Sequence, residues 1–205
     1  MEDLLGNERM EAKWAEVQEI IAAGEKWTDP DFPPQLSSLI NKKHDAGNLT
    51  QMRQVEWRRA SDLFEDPQIF TDGIHPNDIK QGSLGDCYFL SCLASMAENP
   101  QRIQDRFVTK EVNSAGIYLM SFYINGIKTP VVVDDWIPTK YDKPCFARSN
   151  DGELWVCLME KAWAKLYGTY SRMEGGDPAF AATHLEGSPA KTIWHQEMLS
   201  DPEKV

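Results

Sequence analysis

Gln81-Gly82-Ser83-Leu84-Gly85-Asp86-Cys87-Tyr88-Phe89-Leu90 sets a cysteine between a glycine-containing turn and an apolar run, with a glutamine six positions upstream. A thiol in the first turn of a helix lies against N–H groups that lack an intrahelical partner and against the positive end of the macrodipole, which favours the ionised nucleophile. After it, Phe89, Leu90, Leu93, Ala94, Met96 and Ala97 cover more than one helical face. That spread predicts a central helix buried on several sides, opened by Cys87 and stopped by Asn99-Pro100. Attack on a carbonyl also requires two converging N–H donors for the oxyanion, and the Gln81 amide beside the Cys87 backbone amide would supply them. The plain alternative is a cysteine that merely begins a buried helix.

On the N-terminal side, Met10, Trp14, Val17, Ile20 and Ile21 recur three and four apart between Asn7 and Gly24, the spacing of an amphipathic helix ended by glycine. Residues 1–26 therefore read as a helical segment, and residues 27–205 as the main domain. Asp29 to Pro34 is proline-rich and Asn41 to Gln51 is polar, so residues 27–56 predict an extended wrap anchored by Trp27, Phe32 and Trp57. Beyond the cysteine, Ile117 to Ile124, Asn125-Gly126 and Ile127 to Val133 predict a β-hairpin. Trp155, Leu158, Met159, Ala162, Trp163 and Leu166 form a helical stripe between Leu154 and Tyr167, capped by Gly168.

The whole is 205 residues, 41% hydrophobic, with seven tryptophans and a formal net charge of −11. No apolar stretch approaches a bilayer span, and the acidic Met1-Glu2-Asp3 start lacks the regions of a secretory signal, so a cytoplasmic location is the default. The negative charge argues against a nucleic-acid partner. Cys87, Cys92, Cys145 and Cys157 have neither disulfide-framework nor zinc-ribbon spacing. Cys92 and Cys157 fall in apolar helical runs and are expected to pack as small hydrophobes.

The decapeptide around Cys87 resembles the catalytic-cysteine segment of the calpains, papain-like, calcium-dependent cysteine proteases, with Tyr88 where that family usually carries Trp. The resemblance continues in Asp29-Pro30-Asp31-Phe32-Pro33-Pro34, Trp57-Arg58-Arg59, Val131-Val132-Val133-Asp134-Asp135, Glu153-Leu154-Trp155 and Glu160 to Gly168. It implies an α+β fold: the first, mainly helical lobe of a papain-like protease, with a nucleophile-bearing central helix and a small hairpin. It further implies Cys87 as nucleophile, Gln81 as oxyanion donor, Gly175 and Gly176 as backbone that pairs with extended peptide substrate, and a Ca²⁺ site at Thr71, Gly73, Asp78 and Glu153.

None of His44, His75, His184 and His195 sits in the Gly-His-Ala setting where the family places its general base, and no Asn-Pro-Trp segment follows them. His75, His184 and His195 read as turn, surface or packing residues. The resemblance places the base and its orienting Asn in a second lobe, so these residues alone are expected to be inactive or nearly so, with that lobe as a partner in the same chain or in trans. Against the leading reading, a calcium-dependent cysteine endopeptidase acting on protein or peptide substrates, stands a calpain-like interaction or regulatory protein that keeps the scaffold without proteolysis. A calcium sensor with no peptide substrate is a third reading, weakened by the absence of an EF-hand motif.

Overall fold

Asn125 and Gly126 both adopt positive φ, 52° and 77°, as the two-residue turn of a tight hairpin requires. The computed structural model describes residues 2–41, 52–71, 73–149 and 152–191. Along the chain run α1 (Glu2–Ala23), α2 (Leu36–Leu39), β1 (Glu56–Arg59), α3 (Ala60–Leu63), α4 (Cys87–Ala97), α5 (Pro100–Gln104), β2 (Ile117–Ile124), β3 (Ile127–Asp134), β4 (Trp136–Lys140), β5 (Lys143–Pro144), α6 (Trp155–Tyr167) and α7 (Pro178–Glu186). Short 3-10 turns lie at Pro76–Asp78 and Tyr170–Met173. The architecture is mixed helix and sheet, in agreement with the α+β expectation.

β2 and β3 pair antiparallel with Ile124 opposite Ile127 and Ile117 opposite Asp134. Because side chains alternate across a strand, β2 serves two cores. Ile117 and Leu119 join Met10 and Val17 of α1, while Tyr118, Met120 and Phe122 enter the main core with α4 and α6. The N-terminal helix thus covers the outer face of the hairpin. It begins at Glu2, five residues before the start expected from the apolar spacing, and Gly24 follows it at φ 73°.

α6 differs from its reading as a one-sided stripe. Every residue from Trp155 to Ala164 is buried, Glu160 and Lys161 included, whereas Leu166 is partly exposed. Trp163 is its anchor: its ring stacks on Phe89 of α4 at 4.9 Å between centroids, and its Nε1 donates to the Tyr88 hydroxyl at 3.0 Å. A second antiparallel sheet, in the order β1-β4-β5, sets Trp57 opposite Pro138 and Arg59 opposite Trp136. This sheet is not legible in the sequence pattern, since its strands are short and carry no clear alternation. Likewise, Asn99-Pro100 ends α4 but also opens α5, with the Asn99 side chain accepting from the Gln101 amide.

Three cations and three carboxylates hold the layers together. Lys161 ion-pairs with Asp134 and donates to the Trp136 carbonyl at 2.7 Å. Lys165 reaches Asp29 at 2.7 Å and the Val132 carbonyl at 2.9 Å. Arg59 ion-pairs with Asp135, donates to Thr28 at 3.0 Å and lies over the Trp136 ring. Asp29, fully buried, receives the amides of Asp31 and Phe32, and its own amide donates to Asp134 at 2.7 Å. Phe32 is buried and Trp27 and Trp57 are half-buried, so the wrap is anchored where expected. Most of its polar stretch, residues 42–51, lies outside the described residues.

A Lys161→Met variant is expected to lose about 3–5 kcal/mol of stability in urea denaturation, because it leaves Asp134 charged and buried without its partner. A loss below about 1 kcal/mol would show that water or a neighbouring cation replaces the ammonium.

Candidate active site around Cys87

The loop before α4 is built by backbone contacts that leave no room for side chains. Lys80 exchanges amide and carbonyl with Arg148 at 2.9 and 3.0 Å, and the Ser83 amide and hydroxyl both donate to the Cys145 carbonyl at 2.9 Å. Between them, Gly82 lies so close to the 145–146 backbone that an added Cβ would sit 2.2 Å from the Phe146 carbonyl oxygen. On the other side, the Gly175 amide donates to the Gly85 carbonyl at 2.8 Å. Gly176 packs on the Tyr88 ring, where a Cβ would come within 2.5 Å.

Cys87 is the first residue of α4, a free and exposed thiol. The helix behind it is buried at Tyr88, Phe89, Leu90 and Leu93, so the sulfur stands at the edge of a rigid element. The other thiols differ. Burial pushes Cys145 up to about 12 and raises Cys157 further, and Cys157 donates to the Ala147 carbonyl at 3.2 Å. Cys92 is half-buried and packs against the edge of the main core, with its sulfur 3.2 Å from the Pro178 carbonyl at the start of α7. It lies at the seam between α4 and α7.

Gln81 lies in the same loop, with its side-chain amide donating to the Leu84 carbonyl at 2.9 Å. An amide nitrogen carries two hydrogens, so this bond fixes the group and leaves one for another acceptor. The structure therefore brings Cys87, Gln81, Gly175 and Gly176 into one neighbourhood. The Gly175 amide is committed to Gly85, which leaves the Gly175 carbonyl and the Gly176 backbone for a ligand.

Tyr88 stands where the resemblance expects Trp. Its hydroxyl, held above the usual phenol range by burial, accepts from Trp163 while its ring faces Gly176. The phenol thus links α4, α6 and the glycine pair. Directly before the thiol, Asp86 is buried, and its carboxyl is raised first by burial, with the Glu174 charge adding to the effect. Glu160 of α6 faces it. Burial and the Asp86 charge hold Glu160 well above the usual carboxylate range, against the Ala147 amide that donates to it at 2.9 Å. Neither carboxyl stands out in the sequence, although a Glu-Lys step inside an otherwise apolar helix is the signal that marks Glu160.

Away from the thiol, Glu153 meets Thr71 and feels the charge of Asp78. Gln68 and Ile69 accept the amides of Leu154 and Trp155 at 2.8 and 3.2 Å, strapping the loop to the start of α6. Glu153 is buried and accepts the Thr71 amide at 3.0 Å, while Asp78 accepts the His75 amide at 2.7 Å. Burial raises the Glu153 carboxyl first, and the Asp78 charge adds to the shift. Gly73 adopts φ 99°. Among the described residues no three His, Cys, Asp or Glu side chains converge on a metal position, so a cation here needs carbonyl ligands as well.

His75 is exposed at the 3-10 turn, and His184 packs edge-on against Trp163 with Nδ1 2.8 Å from the Phe180 carbonyl. Both therefore occupy the turn and packing roles expected of them. His44 and His195 lie outside the described residues. Also among the described residues, no helix is long and apolar enough to cross a membrane.

A thiol opening a buried helix on a mixed helix-and-sheet scaffold is the layout of cysteine-nucleophile hydrolases as a class. Comparison narrows the class. Residues 27–204 match the calpain family cysteine protease domain, and the chain belongs to that family. It is 40% identical over 199 residues to the calpain-type cysteine protease DEK1 of Arabidopsis thaliana, covering 91% of this chain and 9% of that protein. Identity is 38% over 188 residues to the bovine calpain-2 catalytic subunit and 34% over 184 residues to calpain-5 of Caenorhabditis elegans. Those alignments cover 90% and 85% of this chain, but only 26% and 27% of the two relatives.

Gly82→Ala is expected to cost about 1–3 kcal/mol, the usual penalty for overpacking, because the atom it meets is backbone that cannot rotate away. Chemical denaturation measures the cost. A neutral result would mean that the 80–86 loop sits farther from Phe146 in solution.

Proposed function

We propose that residues 27–205 form the Cys-bearing lobe of a papain-like, calcium-dependent endopeptidase, and that its substrates are proteins or extended peptides. The observation that carries this reading is an exposed thiol at the first residue of a buried helix, in a chain of the calpain family. Cys87 attacks the substrate carbonyl. Gln81 and the Cys87 amide take the oxyanion, and the Gly175–Gly176 backbone pairs with the extended chain.

Proton transfer needs a base that takes the thiol proton and returns it to the leaving amine. The resemblance to the calpains places that His and its Asn partner in a second lobe, in the same chain or in trans, while His75 is exposed at a turn and His184 packs against Trp163. The acyl-thioester formed at Cys87 is then hydrolysed by water, which regenerates the thiol. A cytoplasmic setting, where the thiols stay reduced, belongs to the same reading.

Thr71, Gly73, Asp78 and Glu153 would hold the calcium. The fit rests on Glu153, a buried carboxyl whose neutral form is favoured by burial and by Asp78, so that a cation would relieve both effects. When bound, calcium would supply positive charge to offset these carboxyls, with Asp78 and Glu153 as the residues that would hold it. Its effect on the thiol depends on tighter binding to the active arrangement of the neighbouring loop.

In the full-length natural protein, Cys87→Ala is expected to abolish casein cleavage by roughly 10⁶-fold, the loss seen on removing the nucleophile of a protease triad. Persistent cleavage would remove Cys87 from its role. Were the parent itself inert under saturating calcium, the scaffold reading would replace the protease. Calcium is also expected to accelerate alkylation of Cys87 relative to Cys92 and Cys157. An Asp78→Ala chain that binds the ion as tightly as its parent would disprove the assigned ligand set.

A further inference from the structure

Asp86 and Glu160 are 0% and 2% exposed, yet among the described residues neither is paired with a cation. An Asp preceding a helix ordinarily turns its carboxylate onto the N–H of the second or third helical residue. Asp86 makes no such bond. Both of its side-chain oxygens are buried and, among the described residues, receive no donor. Glu160 lies within side-chain hydrogen-bonding reach of them, and its Oε1 accepts the Ala147 amide at 2.9 Å. Two ionised carboxylates are acceptors only and repel, but one proton between them turns an orphaned oxygen into a hydrogen-bonded one.

We propose that Asp86 and Glu160 share a single proton, and that the resulting carboxyl–carboxylate bond positions the nucleophile loop. The bond fastens the residue before Cys87 to the middle of α6. Through Ala147 it also reaches the 145–148 segment, which already holds Ser83 and Lys80. The pair carries one negative charge rather than two. A fully ionised Asp86 and Glu160 would set two anions behind the first turn of α4, where Cys87 stands.

The surrounding groups keep the proton in place. Burial is the largest cause of the raised titration of both carboxyls, and the Glu174 charge acts in the same direction on Asp86. Cys145, Cys157 and Tyr170 pack near Glu160 and are themselves held in their protonated forms. Lys140 acts on Cys145 and Arg148 on Cys157, while Lys161 is committed to Asp134 and the Trp136 carbonyl. The proton belongs to the pair rather than to either residue.

This inference rests on Cys87 being the nucleophile, and its test separates the two. Infrared spectra of the 205-residue chain in D₂O at neutral pH are expected to contain a carboxylic-acid C=O band that Glu160→Gln and Asp86→Asn each remove. Absence of that band from the wild type overturns the shared proton. Peptide-resolved labelling with iodoacetamide then follows Cys87 from mildly acidic to alkaline pH. Where the acid band disappears, wild-type labelling is expected to fall about tenfold below a simple thiol titration, the effect of a neighbouring anion that displaces the thiol by roughly one pH unit. Glu160→Gln keeps an amide donor for Asp86, and its profile should be that of the thiol alone. Superimposable profiles for the two proteins overturn the positioning role. If Glu160→Gln does not fold by circular dichroism, Asp86→Asn takes its place, and the wild-type band decides the proton by itself. Cys87 labelling no faster than Cys92 would instead sink the nucleophile assignment and leave the infrared result standing.

Discussion

The buried ion pair between Lys161 and Asp134 is the constraint on which the other layers depend. An ammonium and a carboxylate with almost no solvent exposure are tolerated only when every remaining donor and acceptor is met. The demand propagates outward. Asp134 takes the Asp29 amide and the Trp136 amide, Lys161 takes the Trp136 carbonyl, and Asp29 then organises the turn at Asp31 and Phe32 and binds Lys165. Satisfying one buried pair thus fixes the end of the hairpin, the wrap and the helix α6 relative to one another. Burial lowers Lys161 from the usual lysine range, opposed by the charge of Asp134, and raises Asp135, opposed by Arg59. The network therefore runs against a desolvation cost that only complete pairing offsets.

This network also gives physical content to the sequence segments that carry the family resemblance. Asp29 comes from the proline-rich wrap, Arg59 from the Trp-Arg-Arg step, Asp134 and Asp135 from the end of the hairpin, and Lys161 and Lys165 from α6. These stretches are far apart in sequence and meet in one polar cluster. None of them contains the thiol. Their role is to hold α6 against the hairpin, and α6 in turn holds α4 through the stacked rings of Trp163 and Phe89 and the Trp163–Tyr88 hydrogen bond.

How far the sequence disclosed this follows the range of the interaction. The hairpin was legible because Asn125-Gly126 imposes a local conformation, and the helix at Cys87 because its apolar run is long and bounded by a turn and a proline. The β1-β4-β5 sheet was not, since Glu56–Arg59 pairs with a strand some eighty residues away and neither strand alternates cleanly. At the site, the thiol, the glutamine and the glycines all lie in short recognisable stretches. Asp86 and Glu160 escaped notice because each looks ordinary alone, an Asp before a helix and a Glu within one. Their meaning arises only when folding removes both from water and sets them face to face.

Glu160 and Lys161 are adjacent in sequence and both buried, yet they do not neutralise each other. Successive residues on an α-helix project about 100° apart, so Lys161 is directed to Asp134 and the Trp136 carbonyl while Glu160 is directed to Ala147 and Asp86. One turn of helix therefore serves two neighbours with different chemistry. On the hairpin side the charge is balanced by an ion pair. On the cysteine side the described residues supply no cation, and burial together with a second carboxyl drives Glu160 toward its neutral form instead. A lysine serving the cysteine side would have placed a positive charge behind the thiol, whereas a carboxyl pair sharing a proton leaves a negative one there. Moving Lys161 by one position would trade the stability of the scaffold for the electrostatics of the site. The order Glu-Lys on α6 keeps the two separate.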